Sequence, residues 1–293
     1  MTSLGFILGG AVKGASTQLA EHLRRVKSIN LPIAENPAFE SPHYESGAVA
    51  RIRESISQLP ADVVAGLKRP NYLGYMPAAG RIASEFPHTV MIFALRHPTD
   101  RAVSAYIHYC QYGRVPYMPV PEAMARLLDG DDLSSIRSQE ILSWSNYAQH
   151  LQRFREHFPD KQILVVGSEQ IRDSPHAVVR RITETLGVDC ILREAPPAES
   201  NVGATSVPEL MARRAMHRCI NTYDDKTQVL IGRTRNPVRL GAGVVAQQSA
   251  RLLHRHTSKK SKALMLDDET RARLNAHFAA DVMYVQDEFG VTL

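Results

Sequence analysis

The feature of this sequence that most constrains its fold is a regular alternation of short apolar runs and longer amphipathic stretches. Apolar runs of strand length occupy residues 5–9, 63–67, 89–95 and 162–166. Apolar residues at helical spacing occupy residues 17–26, 76–85, 100–112, 146–157 and 177–186. Strands that alternate with helices predict a mostly parallel sheet flanked by helices. We therefore expect an α/β fold, a single domain over residues 1–293, in which ligands bind at the carboxyl ends of the strands.

Three further stretches complete the chain. Residues 30–47 are loop-like, and their length is typical of a functional loop; they contain Pro32, Glu35, Pro37, Glu40, Pro42, His43 and Glu45. Residues 221–262 contain glycines and an Asn-Pro pair that interrupt any regular pattern, so we expect a basic, partly mobile loop there. Apolar residues at helical spacing then predict a final helix over residues 268–289.

Composition limits the class of protein. With 44% hydrophobic and 22% charged residues, the chain does not have the profile of a disordered protein, a collagen or a coiled coil. Its longest apolar runs fall far short of the roughly 20 residues that cross a bilayer, so we expect no membrane span. The first residues lack the positive start and the cleavage pattern of a secretory signal, and we expect a cytoplasmic enzyme. Three scattered cysteines predict neither a disulfide framework nor a zinc site.

Positive charge is concentrated in one segment. Residues 201–262 contain 12 Lys and Arg against three Asp and Glu, a net charge of +9, whereas the other 231 residues carry 23 against 27, a net charge of −4. Such a segment indicates an anionic partner, which could be nucleic acid, a phosphorylated cosubstrate or an acidic acceptor. A solvated basic face explains the charge equally well.

A glycine-bearing turn follows the first predicted strand and leads into a helix. It reads Gly10-Ala11-Val12-Lys13-Gly14-Ala15-Ser16-Thr17. Backbone N–H groups and the helix dipole make such a turn an anion-binding site, to which Lys13 adds a cation and Ser16 and Thr17 add hydroxyl donors. In a Walker A loop, by contrast, the lysine follows the second glycine. The pattern predicts a phosphate loop, the alternative being a βα turn with an incidental lysine.

A second polar element follows the strand at residues 89–95. It reads Arg96-His97-Pro98-Thr99-Asp100-Arg101-Ala102-Val103-Ser104. Pro98 suits the first turn of a helix, where its missing N–H costs no helical hydrogen bond. Ser104 then lies about two turns along that helix and can face Arg96. An arginine at a strand end with a hydroxyl nearby predicts a site for a phosphate dianion, although either residue alone is more often a surface or salt-bridge residue.

Together the two elements resemble the sulfotransferase family that uses 3′-phosphoadenosine 5′-phosphosulfate (PAPS), which implies a P-loop-like fold. In that family GxxKxG[ST][ST] holds the 5′-phosphosulfate and RxPxxRxxS holds the 3′-phosphate. The first motif matches at Gly10, Lys13, Gly14, Ser16 and Thr17, with Ala15 where the family often has glycine. The second matches at Arg96, Pro98, Arg101 and Ser104 and continues into Tyr106 and His108.

Two further matches favour the branch with heparan sulfate and bacterial carbohydrate-type enzymes. Residues 67–73 resemble its K[ST]PxY[LF] element, with Arg69 at a position that is usually smaller and polar. The stretch from Tyr147 to Glu169 resembles its YxxxLxxWxxxFPxxQxLVxxxE run, with Phe154 in place of the usual Trp. The resemblance is good over residues 4–190, weak over 190–265 and faint in the last helix.

The resemblance implies transfer of a sulfonate from PAPS to an acceptor hydroxyl or amine, which leaves adenosine 3′,5′-bisphosphate. Lys13 would stabilise the leaving oxygen, and Lys68 would neutralise the sulfonate or the 5′-phosphate. The scheme requires no metal, since Lys and Arg supply the charge that Mg²⁺ supplies in kinases. Lys259 and Lys260 lie near the place where the family has a Lys-rich loop that closes over the nucleotide.

For the general base, the family branch has a glutamate in the loop before the Lys68 strand. Glu40 matches best, and Glu45 and Glu35 are alternatives. His43 and His108 are rival bases, and we assign both, together with Tyr44, to binding of the acceptor. The base must be partly desolvated to be effective.

The acceptor is the least constrained part of the prediction. The family branch favours a sugar hydroxyl on a neutral or anionic glycan, glycolipid or glycosylated metabolite, and a small natural product is the second choice. Three other classes are less well supported. A P-loop NTPase needs a GK[ST] order, a catalytically dead module does not need Lys13 and Lys68, and a nucleic-acid-binding protein would need more aromatic residues in 201–262 than Tyr223. The sequence does not predict an oligomeric state.

Overall fold

The computed structural model describes residues 4–194, 203–224, 230–256 and 260–293. The chain separates into two compact units. The sheet unit comprises Met1–Pro98, Asn146–Ser200 and Ala279–Leu293, and the helical unit comprises Thr99–Ser145 and Asn201–Phe278. That the whole chain forms a single domain stays a prediction.

A parallel five-stranded sheet organises the sheet unit. The strands are β1 (Leu4–Gly10), β2 (Ile29–Asn30), β3 (Val64–Lys68), β4 (Val90–Leu95) and β5 (Ile163–Gly167). Their order is β2-β3-β1-β4-β5, and every neighbouring pair is parallel. This confirms the predicted α/β fold with a central parallel sheet, and it places the carboxyl ends of β1, β3 and β4 next to one another.

Thirteen α-helices occupy the described part of the chain. In chain order they are α1 (Ser16–Arg24), α2 (Ala48–Ser57), α3 (Ala78–Glu85), α4 (Pro98–Gln111), α5 (Val120–Leu128), α6 (Gln139–Ser143), α7 (Tyr147–Arg155), α8 (Ser168–Asp173), α9 (Pro175–Leu186), α10 (Val207–Ile220), α11 (Pro237–His256), α12 (Asp268–His277) and α13 (Ala279–Phe289). None of the helices described is long and apolar enough to cross a bilayer.

Two apolar cores cover the faces of the sheet. Along β4, Met91 and Phe93 belong to one core, whereas Ile92 and Ala94 belong to the other. Successive side chains of a strand point to opposite faces. A strand that is covered on both faces is therefore apolar throughout, which explains why these strands appear in the sequence as continuous apolar runs.

The segment 221–262 differs from its prediction. Instead of an irregular loop, its described part forms an antiparallel pair of strands, β6 (Asn221–Tyr223) and β7 (Leu230–Arg233), and then the 20-residue helix α11. Pro237 begins this helix, a position that proline favours. Gly243 is needed for packing, because a Cβ there would lie 2.5 Å from the Ile220 side chain. Gly243, one of the glycines that suggested a loop, thus permits a close helix contact.

The predicted final helix also differs in detail. It is interrupted at Phe278, where α12 ends and α13 begins shortly after. Phe278 itself is fully buried in the core of the helical unit.

Candidate functional site

The turn after β1 is a tight loop fixed by backbone hydrogen bonds. The Ala11 N–H donates to the Ala94 carbonyl of β4 at 2.7 Å, and the Gly14 N–H donates to the Ala11 carbonyl at 2.9 Å. Lys13 and Ala15 adopt left-handed backbone conformations, with φ of 68° and 73°. The predicted phosphate loop is therefore a compact turn that is held against the neighbouring strand.

Gly14 is required by this close approach. A Cβ at this position would lie 2.2 Å from the Ala94 carbonyl oxygen, a distance that backbone atoms cannot accommodate. Helix α1 begins directly after the loop, and no side chain caps its N-terminus. The loop therefore presents backbone N–H groups and the positive end of a helix dipole at the carboxyl end of β1, which suits an anion.

Lys68 connects this loop to the segment after β2. It is the last residue of β3, and it is only 5% exposed. Its Nζ donates to Thr17 Oγ1 at 3.1 Å and to Glu35 Oε1 at 3.0 Å. The buried ammonium group of Lys68 therefore lies between the predicted phosphate loop, where it contacts the Thr17 hydroxyl, and the Glu35 carboxylate, with which it forms an ion pair.

Arg69 joins two carboxylates. Its Nη1 contacts Glu35 Oε2 at 3.2 Å, while its Nε and Nη2 each donate to a different oxygen of Glu40 at 2.6 Å. We call Lys68, Arg69, Glu35 and Glu40 the charge cluster. The charge cluster contains two cations and two anions. The Arg69 guanidinium contacts Glu35 through one nitrogen and Glu40 through the other two.

The loop that carries Glu35 is anchored to β3 and to the short 3₁₀ helix that follows it. The Asn36 N–H donates to the Lys68 carbonyl at 3.0 Å. The buried Tyr72 hydroxyl donates to the Asn36 carbonyl and accepts from the Phe39 N–H at 3.3 Å. Burial raises the pKa of Tyr72, which keeps it a neutral donor. These bonds hold Glu35 beside Lys68.

The other acidic and aromatic candidates of this loop have separate partners. Glu45 accepts from Arg81 Nη2 at 2.7 Å and from Ser41 Oγ at 2.6 Å. The Tyr44 hydroxyl donates to Glu85 at 3.0 Å, and the Arg81 guanidinium lies 4.5 Å from the centre of its ring. Glu45 and Tyr44 thus hold the loop against α3.

His43 is the remaining candidate of this loop. Its side chain is exposed, and it lines a cavity together with Glu35.

Arg96 follows β4 directly and has an exposed side chain. Its carbonyl accepts a 2.9 Å hydrogen bond from the Tyr147 hydroxyl, which fixes the backbone at the strand end. In the helical unit, Ser104 is half-buried on α4. His108 lies one turn later, with its ring 4.6 Å from that of Tyr112. As the sequence predicts, Arg96 lies at the end of a strand and Ser104 lies on the helix that follows.

Arg101, the second arginine of the RxPxxRxxS motif, is fully buried in the helical unit. It donates to the carbonyls of Glu140 and Ile141 at 3.1 and 2.9 Å and to Ser145 Oγ at 3.2 Å. This arginine therefore anchors the C-terminal end of α6 to α4.

Of the two lysines predicted to close over the nucleotide, Lys259 lies outside the described residues, and Lys260 is exposed. Within the described ranges, no three His, Cys, Asp or Glu side chains are grouped so as to hold a metal ion.

The structure therefore brings together Lys68, Thr17 and Glu35 from three separate segments. Glu40, the best match for the base in the sequence, has both oxygens bonded to Arg69. The sequence analysis assigned no role to Arg69, which contacts both glutamates. The signal was that Arg69 occupies a position where the family that the chain resembles usually has a smaller polar residue.

The known proteins to which this chain is similar are sulfotransferases. A model of the Sulfotransferase family matches residues 11–191. Human heparan sulfate glucosamine 3-O-sulfotransferase 3B1 is 27% identical over 194 residues, which cover 64% of this chain and 47% of that protein. The bifunctional heparan sulfate N-deacetylase/N-sulfotransferase 1 of Caenorhabditis briggsae is 26% identical over 60% of this chain and 22% of its own length. The chain thus spans about half the length, or less, of these relatives.

Among solved structures, a sulfotransferase from Alicyclobacillus acidocaldarius has a similar fold. The TM-score is 0.64 at 17% identity, and the match covers 100% of this chain and 98% of the other.

Proposed function

Because this chain belongs to the sulfotransferase family, we propose that it transfers a sulfonate group from PAPS to a hydroxyl of a carbohydrate-type acceptor. The observation that carries the proposal is the contact of Lys68 with both Thr17 of the phosphate loop and Glu35. The phosphosulfate of PAPS, bound in the loop, and the base for the acceptor would both lie next to this lysine. The names of the heparan sulfate relatives support a sugar hydroxyl as the acceptor.

In the proposed reaction the acceptor oxygen attacks sulfur in line with the bond to the 5′-phosphate. A new O–S bond forms, the bond from sulfur to the bridging oxygen breaks, and that oxygen leaves as part of adenosine 3′,5′-bisphosphate. The acceptor proton passes to a carboxylate of the protein. Positioning and a fixed positive charge near the leaving oxygen supply the catalysis.

The donor would be held by two groups of residues. Backbone N–H groups of residues 10–17 and the Ser16 and Thr17 hydroxyls would bind the 5′-phosphosulfate, with Lys13 at the bridging oxygen. Lys68 would neutralise the sulfonate as it is transferred. Arg96 and Ser104 would bind the 3′-phosphate, an assignment that rests on the motif.

For the general base we propose Glu35 in place of Glu40. Arg69 engages both oxygens of Glu40 through two bonds of 2.6 Å, so an acceptor hydroxyl would have to compete with the guanidinium for either oxygen. Glu35 accepts one bond from Lys68 and one longer bond from Arg69. Its side chain is 36% exposed, so an acceptor can reach it. Arg69 then acts as a positioning residue for Glu35.

The experiment is to measure transfer of ³⁵S from labelled PAPS to heparan-type oligosaccharides and to simple glycosides. We expect Glu35→Gln to lower kcat by roughly 10²- to 10⁴-fold, the range for removal of a general base. Glu40→Gln is the matched control, which keeps the loop and changes an adjacent carboxylate, and its kcat should fall far less. An equal loss in the two variants would restore Glu40 as the base, and no transfer to any sugar would refute the proposed activity.

A further inference from the structure

The sheet unit contains a cavity of about 380 Å³ beside the charge cluster. This volume lies in the range of roughly 300 to 1,000 Å³ that is typical of small-molecule sites. One wall is formed by strand β3, from Ala65 to Lys68, and another is formed by α2. Residues 34–38 and His43 line it as well. The cavity thus follows β3 to its carboxyl end, where Glu35 and Lys68 form part of its lining.

The walls of this cavity are mostly apolar. Most of its lining residues are apolar, among them Ala34, Ala38, Ile52, Ile56 and Leu67. The ionisable groups in the lining are Glu35, Lys68, His43 and Arg51. An all-polar sugar chain would leave such walls without a suitable partner. An apolar chain would be driven into the cavity by removal of its surface from water.

We propose that this cavity binds the aliphatic chain of an amphipathic glycoside whose sugar hydroxyl lies at Glu35. The inference rests on the proposed function for the reaction, but binding of the aliphatic tail in the cavity does not depend on catalysis. The acceptor is then a sugar attached to an apolar tail. This tail lies along β3 and α2, and the sugar end reaches the carboxylate that accepts its proton.

The test is calorimetric binding of octyl β-glucoside, below its micelle-forming concentration, and of methyl β-glucoside to the full chain. Each buried methylene should tighten binding by up to about fourfold. We therefore expect octyl glucoside to bind at least a hundredfold more tightly than methyl glucoside. Equal affinities of the two glucosides would overturn the proposal.

Two serines of α2 provide a matched pair of variants. Ser55 and Ser57 are both exposed, and each hydroxyl donates to a backbone carbonyl within the helix, but only Ser55 lines the cavity. Ser55→Phe should weaken octyl glucoside binding at least tenfold, and Ser55→Leu, with a smaller side chain, should give an intermediate loss. Ser57→Phe should leave binding unchanged. Equal losses at the two positions would overturn the assignment to the cavity.

Transfer assays with PAPS separate the two hypotheses. Tight octyl glucoside binding without sulfonate transfer to any sugar would keep the cavity assignment and refute the proposed function. Transfer that is equally efficient with methyl and octyl glucosides would support the function and refute the cavity as an acceptor site.

Discussion

The two compact units differ in what their interiors contain. In the sheet unit the sheet lies between two apolar cores, and Lys68 at the candidate site is a buried charged group. In the helical unit Arg101 and Glu209 are completely buried. Buried charge marks the proposed chemistry in one unit and supports the architecture in the other.

Glu209 illustrates the structural use of charge. It accepts hydrogen bonds from the backbone and the hydroxyl of Thr205, both at 2.9 Å, and pairs with Arg213 at 2.6 Å and His254 at 3.1 Å. Burial alone would raise the pKa of Glu209, but these partners hold the pKa below its usual value. This one carboxylate ties the start of α10 to the end of α11.

The largest effect expected within this comparison of buried charges tests whether buried charge in the sheet unit is catalytic. Lys68→Met keeps most of the length of the side chain and removes its charge. We expect kcat for sulfonate transfer to fall by about 10²- to 10³-fold, the effect of losing one group that stabilises developing charge. Lys161→Met, at an exposed lysine of the same unit, is the control and should leave kcat unchanged. A Lys68→Met enzyme of nearly normal kcat would assign Lys68 to structure.

The next effect concerns the donor. Arg96→Ala should weaken binding of adenosine 3′,5′-bisphosphate by about 10- to 100-fold, because the proposed charge-assisted contact to the 3′-phosphate would be lost. Binding of adenosine 5′-phosphate, which lacks that phosphate, should change little. Calorimetry with both nucleotides measures the difference, and equal losses would contradict the assignment.

A smaller effect tests the polar interior of the helical unit. Burial, together with the nearby Arg213, Arg114 and Arg233, lowers the pKa of His217 from 6.5 to about 4. As the pH falls from 6.5 to 4, the unfolded chain binds a proton that folded His217 does not, so the free energy of unfolding decreases in this window. The decrease is about 1 to 2 kcal/mol once solvent screening is included.

Chemical denaturation of the wild type and of His217→Gln at several pH values checks this linkage. The variant should lose less stability than the wild type between pH 6.5 and pH 4. Parallel pH profiles would show that His217 titrates normally.

The smallest expected effect concerns the basic segment. The combined variant Arg233→Gln, Arg235→Gln and Arg239→Gln removes three exposed charges. KM for a negatively charged oligosaccharide should rise about three- to fivefold at low salt, and less at high salt, because long-range attraction is lost. PAPS affinity and KM for a neutral glycoside should not change. A loss of PAPS affinity would move these arginines to the donor site.

The sequence predicts the sheet unit well because its strands and helices follow simple periodicities. The loop at residues 10–17, the strand end at Lys68 and the position of Arg96 all follow from motifs that are contiguous in the chain. The contact of Glu35 with Lys68 could not be predicted in this way, because it depends on how a long loop returns to β3. That path is fixed by Asn36, which carries no distinctive local signal, and by Tyr72, whose place in the K[ST]PxY[LF] element does not show that it binds this loop.

The helical unit was less predictable for a related reason. Gly241 and Gly243 suggested a loop, yet Gly243 lets α11 approach Ile220 of α10. On the same helix Val238, Val245 and Leu252 are more than half exposed, so the apolar pattern does not indicate a buried face. Tertiary contacts, and not the local pattern, determine where this helix lies.

The left-handed backbone of Lys13 and Ala15 has a consequence for the energetics of donor binding. A non-glycine residue in this conformation costs about 1 to 2 kcal/mol, and the loop contains two of them. The surrounding sheet offsets this strain when the protein folds, through contacts such as that of Ala11 with Ala94. The predicted phosphate loop is therefore preorganised, and a nucleotide that bound there would lose little affinity to ordering it.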